Sequence, residues 1–418
     1  MSIEVTRLDN GLRIASDPMP GIETVSLGIW VAAGTRHEPA AINGVAHLLE
    51  HMAFKGTRRR SAFDIARDIE AVGGHLNAYT SRENTAYYAK VLAGDAPLAV
   101  DILSDILQHS VFDEGELERE RAVVLQEIGQ AEDTPDDIIF DRFQEAAYPD
   151  QPMGRPVLGR DEVVSKLDRK ALLSYMAHSY GAEGMIFAAA GKVDHARLVD
   201  QVASAMGDLP AVPEHPLEPA RYSGGETREE RGLEQVHILL GFQSVPYGDP
   251  DYYAASVYST LLGGGMSSRL FQEVREKRGL VYSIYSFTSS YSDGGLFGVY
   301  AGTGPREVSE LVPVVCDELA KTMAGIQPDE LAAARAQLKA SLLMSRESSS
   351  SRAEQLAQQL LIYGRPVPVE EVVAKVDAVD EVAIERFAAR LQSGPLTLAA
   401  IGPIGDVEPF ERIAARLA

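Results

Sequence analysis

The chain has 418 residues, long for one domain, and 45% of them are hydrophobic, enough for large buried cores. Its 61 acidic and 39 basic residues give a formal charge of −22, which argues against nucleic acid as a partner because phosphate binding needs concentrated Lys and Arg. No apolar run approaches a membrane span, and the single cysteine, Cys316, excludes an intrachain disulfide and argues against thiol redox chemistry.

In chain order, Met1 to Leu8 goes directly into a strand-like alternation, with neither the apolar centre of a signal peptide nor an Arg-rich transit segment. It reads as a cytoplasmic, bacterial-like start. Val25 to Val31 reads as a strand. Val45 to Phe54 reads as a largely apolar helix that contains His47-Leu48-Leu49-Glu50-His51. Two His four positions apart fall on one helix face and can share one Zn²⁺, while Glu50 overhangs that face as a general base. This is the H-x-x-E-H order, the inversion of H-E-x-x-H. Unpaired His and Glu on so apolar a helix would carry a burial cost that a metal removes.

A catalytic zinc usually takes three protein ligands, so a further carboxylate or imidazole is needed. Glu116 to Glu127 is a strong helical pattern in which Glu120 and Glu127 share a face, seven apart. Glu127, flanked by Val123-Val124-Leu125, is the candidate ligand and Glu120 the residue that orients a ligand, whereas Glu116 and Glu118 read as solvated surface. Pro-rich Leu209 to Pro219 reads as a linker.

Beyond the linker the order of segments recurs. Val236 to Phe242 answers Val25 to Val31, Glu330 to Ser341 answers Glu116 to Glu127, and Leu396 to Gly402 answers Met185 to Gly191. The halves, residues 1–215 and 216–418, are therefore expected to be two homologous α+β domains. The second has lost the metal chemistry, because Ser256 to Leu262, its counterpart of the His helix, has no His or Glu, and Ser341 stands where Glu127 would. One zinc per chain is expected. Gly263-Gly264-Gly265 suits a helix C-terminus and, with no Lys-Ser/Thr after it, is no phosphate loop. Cys316, within Val314 to Leu319, reads as a buried small hydrophobe.

These residues resemble, nearly end to end, the zinc peptidases of the pitrilysin, insulin-degrading enzyme and mitochondrial processing peptidase group, and most of all the processing peptidase β-subunit. The resemblance implies two domains, each a mostly antiparallel sheet packed with helices, forming half of a clam-like chamber. It implies Glu127 as third ligand with Glu120 behind it. It implies that Gly73 to Ser81 holds an edge strand that pairs with an extended substrate, with Asn77, His75 and Ala78 as substrate-binding positions. Asp137 and Asp141 match positions that grip a substrate arginine, which carboxylates one turn apart can do. Arg275 and Tyr282 match a pair from the far lobe that holds the substrate and the tetrahedral intermediate. The implied activity is zinc metalloendopeptidase action on peptides, possible basic presequence-like ones included, in a homodimer. The alternatives are a heterodimer with an inactive homologue or a non-catalytic core subunit.

Overall fold

The computed structural model describes residues 2–212 and 217–417. The middle of the expected linker and the expected boundary at residues 215 and 216 lie outside the described residues. Thr24–Val31 is a continuous apolar run with seven of its eight residues buried, the pattern of a strand covered on both faces. It is β3 of a six-stranded sheet ordered β1-β2-β6-β3-β5-β4. The members are β1 (Glu4–Arg7), β2 (Arg13–Pro18), β3 (Thr24–Val31), β4 (His75–Thr80), β5 (Thr85–Leu92) and β6 (Met185–Gly191). All neighbours are antiparallel except β2 and β6. β4 is an edge strand and pairs with β5 alone, with Thr80 opposite Thr85.

The second sheet repeats this plan without the first strand. β7 (Gly225–Glu230), β8 (Val236–Gln243), β9 (Val281–Ser290), β10 (Gly295–Thr303) and β11 (Thr397–Gly402) are ordered β7-β11-β8-β10-β9. β7 and β11 are its parallel pair. Thus β8 answers β3, β11 answers β6, and the edge strand β9 answers β4.

The helices before β7 are α1 (Val45–Ala53), α2 (Ala62–Glu70), α3 (Ala96–Gln108), α4 (Glu114–Glu132), α5 (Pro135–Ala147), α6 (Asp161–Val164), α7 (Arg169–Ser179) and α8 (His195–Met206). After it come α9 (Tyr252–Gly263), α10 (Val308–Met323), α11 (Pro328–Ser345), α12 (Ser349–Tyr363), α13 (Val369–Asp377), α14 (Glu381–Gln392) and α15 (Phe410–Arg416). None is long and apolar enough to cross a membrane among the described residues.

The chain divides into two compact units, and neither is contiguous. The first comprises Met1–Gly129, Arg155–Glu218 and Met344–Pro366, and the second Gln130–Gly154, Pro219–Leu343 and Val367–Ala418. α5 and α12, which follow equivalent helices, each belong to the unit built mainly from the other half. The reason is apolar. One face of the first sheet packs against α1, α3, α7 and α8 through residues such as Leu27, Ile29, Leu48 and Leu103. Its other face, with Trp30, Ile186 and Ala188, is covered by Ala353, Leu356, Ala357 and Leu360 of α12. In the second unit, Ile139, Phe143 and Ala147 of α5 cover Leu239, Ala399 and Ile401 in the same way.

Phe143 is 1% exposed, and a Cβ on Gly241 would come within 2.6 Å of its ring, so strand and helix are in direct contact. Phe143→Ala is expected to cost about 3–5 kcal/mol, seen as a lower denaturant midpoint for the second unit.

Cys316 is fully buried, and burial pushes its thiol up to about 12, as suits a core residue. The glycine run does end α9, but Gly264 has φ −85°, outside the left-handed region. Close approach explains these glycines, since a Cβ on Gly263 would lie 2.4 Å from Ser286 N and one on Gly264 2.6 Å from Thr260 Cα.

Candidate metal centre

Gly44 precedes α1 with φ +95°, a conformation that side chains disfavour, and a Cβ there would lie 2.7 Å from Val164. Val45, Leu48, Leu49 and Met52 are at most 1% exposed and anchor one face of the helix. Their burial sets the helix rotation, and the 3.6-residue period then brings His47, Glu50 and His51 together on another face. α4 is anchored likewise by Leu117 and Val124 and offers Glu120 and Glu127 to α1.

The donor atoms of His47, His51 and Glu127 all lie within 4.8 Å of one another. His51 Nε2 is 3.5 Å and His47 Nε2 3.7 Å from Glu127 Oε2. Two ligands about 2.0–2.1 Å from one tetrahedral ion stand roughly 3.4 Å apart, so this donor set fits zinc in both chemistry and spacing. Burial and the neighbouring His51 hold His47 down to about 4, leaving it neutral at physiological pH, the form that ligates.

Behind the donors, His51 Nδ1 stands 3.1 Å from Glu120 Oε2. With the proton on Nδ1, His51 donates to Glu120 and turns the Nε2 lone pair toward Glu127, a carboxylate–histidine arrangement that fixes tautomer and ring orientation. The other Glu120 oxygen takes a 2.7 Å ion pair from Lys55 Nζ. Sequence reasoning missed Lys55, which lies just past the end of α1. Lys55→Met is expected to weaken zinc binding about 10–100-fold, measured by competition with a chromophoric chelator.

Glu50 is largely shielded, and burial, helped by Glu127, raises its carboxyl above the usual range against the opposing effects of Thr80 and His51. Thr80 Oγ1 donates to Glu50 Oε2 at 2.6 Å. Thr80 is the last residue of edge strand β4, and no sequence pattern marked it. At the start of α1, Glu38 is 2% exposed and accepts hydrogen bonds from Ala46 N, Gly44 N and the Asn43 amide at 2.8–2.9 Å. Burial pushes its carboxyl up to about 7, while these donors and Arg155 pull it down.

The remaining expected residues fall as follows. His75 and Asn77 are exposed on β4, whereas Ala78 packs partly into the core, leaving its backbone as the part available to a ligand. Asn77 Oδ1 accepts from Ala78 N at 2.8 Å. Asp137, exposed, and Asp141, half-buried, lie one turn apart on α5. They belong to the second unit, whereas the donor set belongs to the first. Arg275 and Tyr282 are also in the second unit and are brought together there. The Arg275 guanidinium lies 5.4 Å from the Tyr282 ring centroid and 4.8 Å from that of Phe271. Phe271, absent from the sequence reading, opens a π-helical turn, Phe271–Glu276, a feature frequent at functional sites. Tyr282 is 78% exposed. Among the described residues the His47, His51 and Glu127 group is the one set of this kind.

Residues 13–161 match the family described as insulinase (peptidase family M16), and residues 166–338 match the peptidase M16 inactive domain. An uncharacterized zinc protease of Streptomyces coelicolor is 39% identical over 97% of this chain and 90% of its own. One from Bacillus subtilis is 37% identical over 95% and 98%. The mitochondrial-processing peptidase subunit beta of Pongo abelii is 36% identical over 99% of this chain and 87% of its own. Among solved structures, a chain of complex III2 from Candida albicans, Inz-5 bound, superposes with a TM-score of 0.88 at 21% identity, covering 99% of each chain. That likeness concerns the fold.

Proposed function

The chain belongs to peptidase family M16, and on that premise we propose that it is a zinc-dependent metalloendopeptidase holding one zinc per chain through His47, His51 and Glu127. The observation that carries this reading is the convergence of these three donors with Glu50 on the same helix and Glu120 behind. A zinc ion held there would polarise the scissile carbonyl and acidify a water molecule. Glu50 takes the water's proton on one carboxylate oxygen while Thr80 occupies the other, and then delivers it to the leaving amine.

The free edge of β4 pairs with the substrate backbone, and His75, Asn77 and the Ala78 main chain align the peptide. Arg275 and Tyr282 donate to the developing oxyanion. They act from a second copy of the chain, so that a homodimer completes the chamber. Asp137 and Asp141 bind an arginine of the substrate, and the net charge of −22 favours basic, presequence-like peptides. The protein works in the cytoplasm, with no nucleic-acid partner.

The competing readings are a heterodimer with an inactive homologue and a non-catalytic core subunit. A scaffold has no physical use for His47, Glu50, His51 and Glu127 gathered in one place, which weighs against the second. The test is cleavage of an arginine-containing quenched fluorescent peptide by purified protein, with zinc content and solution mass measured alongside. Zinc, cleavage and a dimeric mass support the proposal. Metal-free protein that stays inert after zinc is restored would favour the scaffold.

A further inference from the structure

Resting on the peptidase reading, we propose that the segment from Gly34 to Glu38 is a positioning bracket that holds the metal helix α1 against the docking strand β4, with Glu38 and Arg36 as its grips. At one end Glu38 takes the first turn of α1. Its Oε1 accepts from Ala46 N at 2.8 Å, and its Oε2 accepts from Gly44 N at 2.9 Å. Ala46 directly precedes His47. Arg155 steadies this end by donating to the Glu38 carbonyl at 2.5 Å.

At the other end the segment grips the turn that closes β4 onto β5. Thr35 N donates to Ser81 O at 3.0 Å and Arg36 N to Arg82 O at 2.8 Å. The Arg36 side chain, fully buried, pairs with Glu83 at 2.6 Å and donates to Glu218 O at 2.9 Å. The approach is so close that a Cβ on Gly34 would lie 2.2 Å from Ser81 O. Ser81 follows Thr80, whose hydroxyl holds Glu50. The contacts close a circuit from α1 through Glu50, Thr80, the 81–84 turn, Arg36 and Glu38 back to α1.

Filling this volume with apolar side chains would avoid the desolvation cost of a buried carboxylate and guanidinium. What the charged groups add is direction, fixing the base relative to the strand that presents the peptide. Glu38, Arg36 and Thr80 act here as positioning residues.

The test is a double-mutant cycle at pH 8 with Glu38→Gln and Thr80→Val. Each alone is expected to lower kcat roughly tenfold, since sub-ångström misplacement is costly, with KM and zinc content unchanged. Because both break one circuit, the double variant should lose little more than either single one. Losses that multiply would overturn the bracket. Thr80→Ser should restore the rate, separating the hydroxyl from packing. A second readout needs no activity: amide hydrogen exchange on the full chain. Glu38→Gln should speed exchange in the 81–85 turn as well as at residues 44–47, and acceleration confined to 44–47 would overturn the proposal. Zinc-loaded wild type that cleaves nothing would count against the peptidase reading, while the exchange result would still decide the bracket.

Discussion

Glu50→Gln should retain zinc and lose turnover by about 10²–10⁴-fold, the usual contribution of a positioned general base. Glutamine keeps the length and shape of the side chain, and its amide oxygen can still accept the Thr80 hydroxyl, which sits 2.6 Å from Glu50 Oε2. The fold and the three donors are therefore undisturbed. What disappears is basicity, and an amide cannot take a proton from water. Burial raises the Glu50 carboxyl, moving it toward the range in which one group can both accept and return a proton near neutrality. The measurement is kcat with a quenched peptide, beside metal analysis of both proteins. A variant that cleaves at the wild-type rate would place the base elsewhere.

Glu127→Ala should show the opposite signature, losing the metal itself. Glu127 Oε2 is the atom both imidazoles approach, at 3.5 and 3.7 Å, and no other His, Cys, Asp or Glu among the described residues completes such a set. Its removal leaves two ligands where a catalytic zinc usually has three. The loss of affinity should exceed the about 10–100-fold typical of removing an outer partner, the range expected for Lys55→Met. Binding that favours the folded state raises its melting temperature. Added zinc should therefore stabilise wild type and Glu50→Gln but leave Glu127→Ala unmoved. Undiminished zinc in Glu127→Ala would sink the ligand assignment.

Much of this site is legible in the sequence itself. The i, i+4 spacing of His47 and His51, and the seven-residue spacing of Glu120 and Glu127, are local consequences of helical period and could be read directly. So could the α+β repeat, because strands such as Thr24–Val31 and Val236–Gln243 are apolar runs on both sides of a Pro-rich stretch. Thr80, Glu38 and Phe271 could not be read, since each acquires its part through contacts across a turn or between elements and belongs to no periodic pattern. Lys55 belongs with them, lying past the end of α1 with a partner, Glu120, that is 65 residues away in sequence. Which sheet α5 and α12 each cover was not legible either, because hydrophobic pattern marks a helix as amphipathic without naming the surface it meets.

That exchange of helices has a consequence for synthesis on the ribosome. The outer face of the first sheet, with Trp30, Ile186 and Ala188, acquires its cover only when residues 353–360 have been made. β6 ends at Gly191, so this face waits for roughly 170 further residues, about 8–35 s at ordinary elongation rates of 5–20 residues per second. Meanwhile α5 is already made, with Ile139 and Phe143 on it, and its own sheet does not yet exist. The nascent chain thus passes through a long interval with two apolar surfaces still lacking their covers, the interval in which a holdase chaperone would be most useful and in which slow codons would do the most harm.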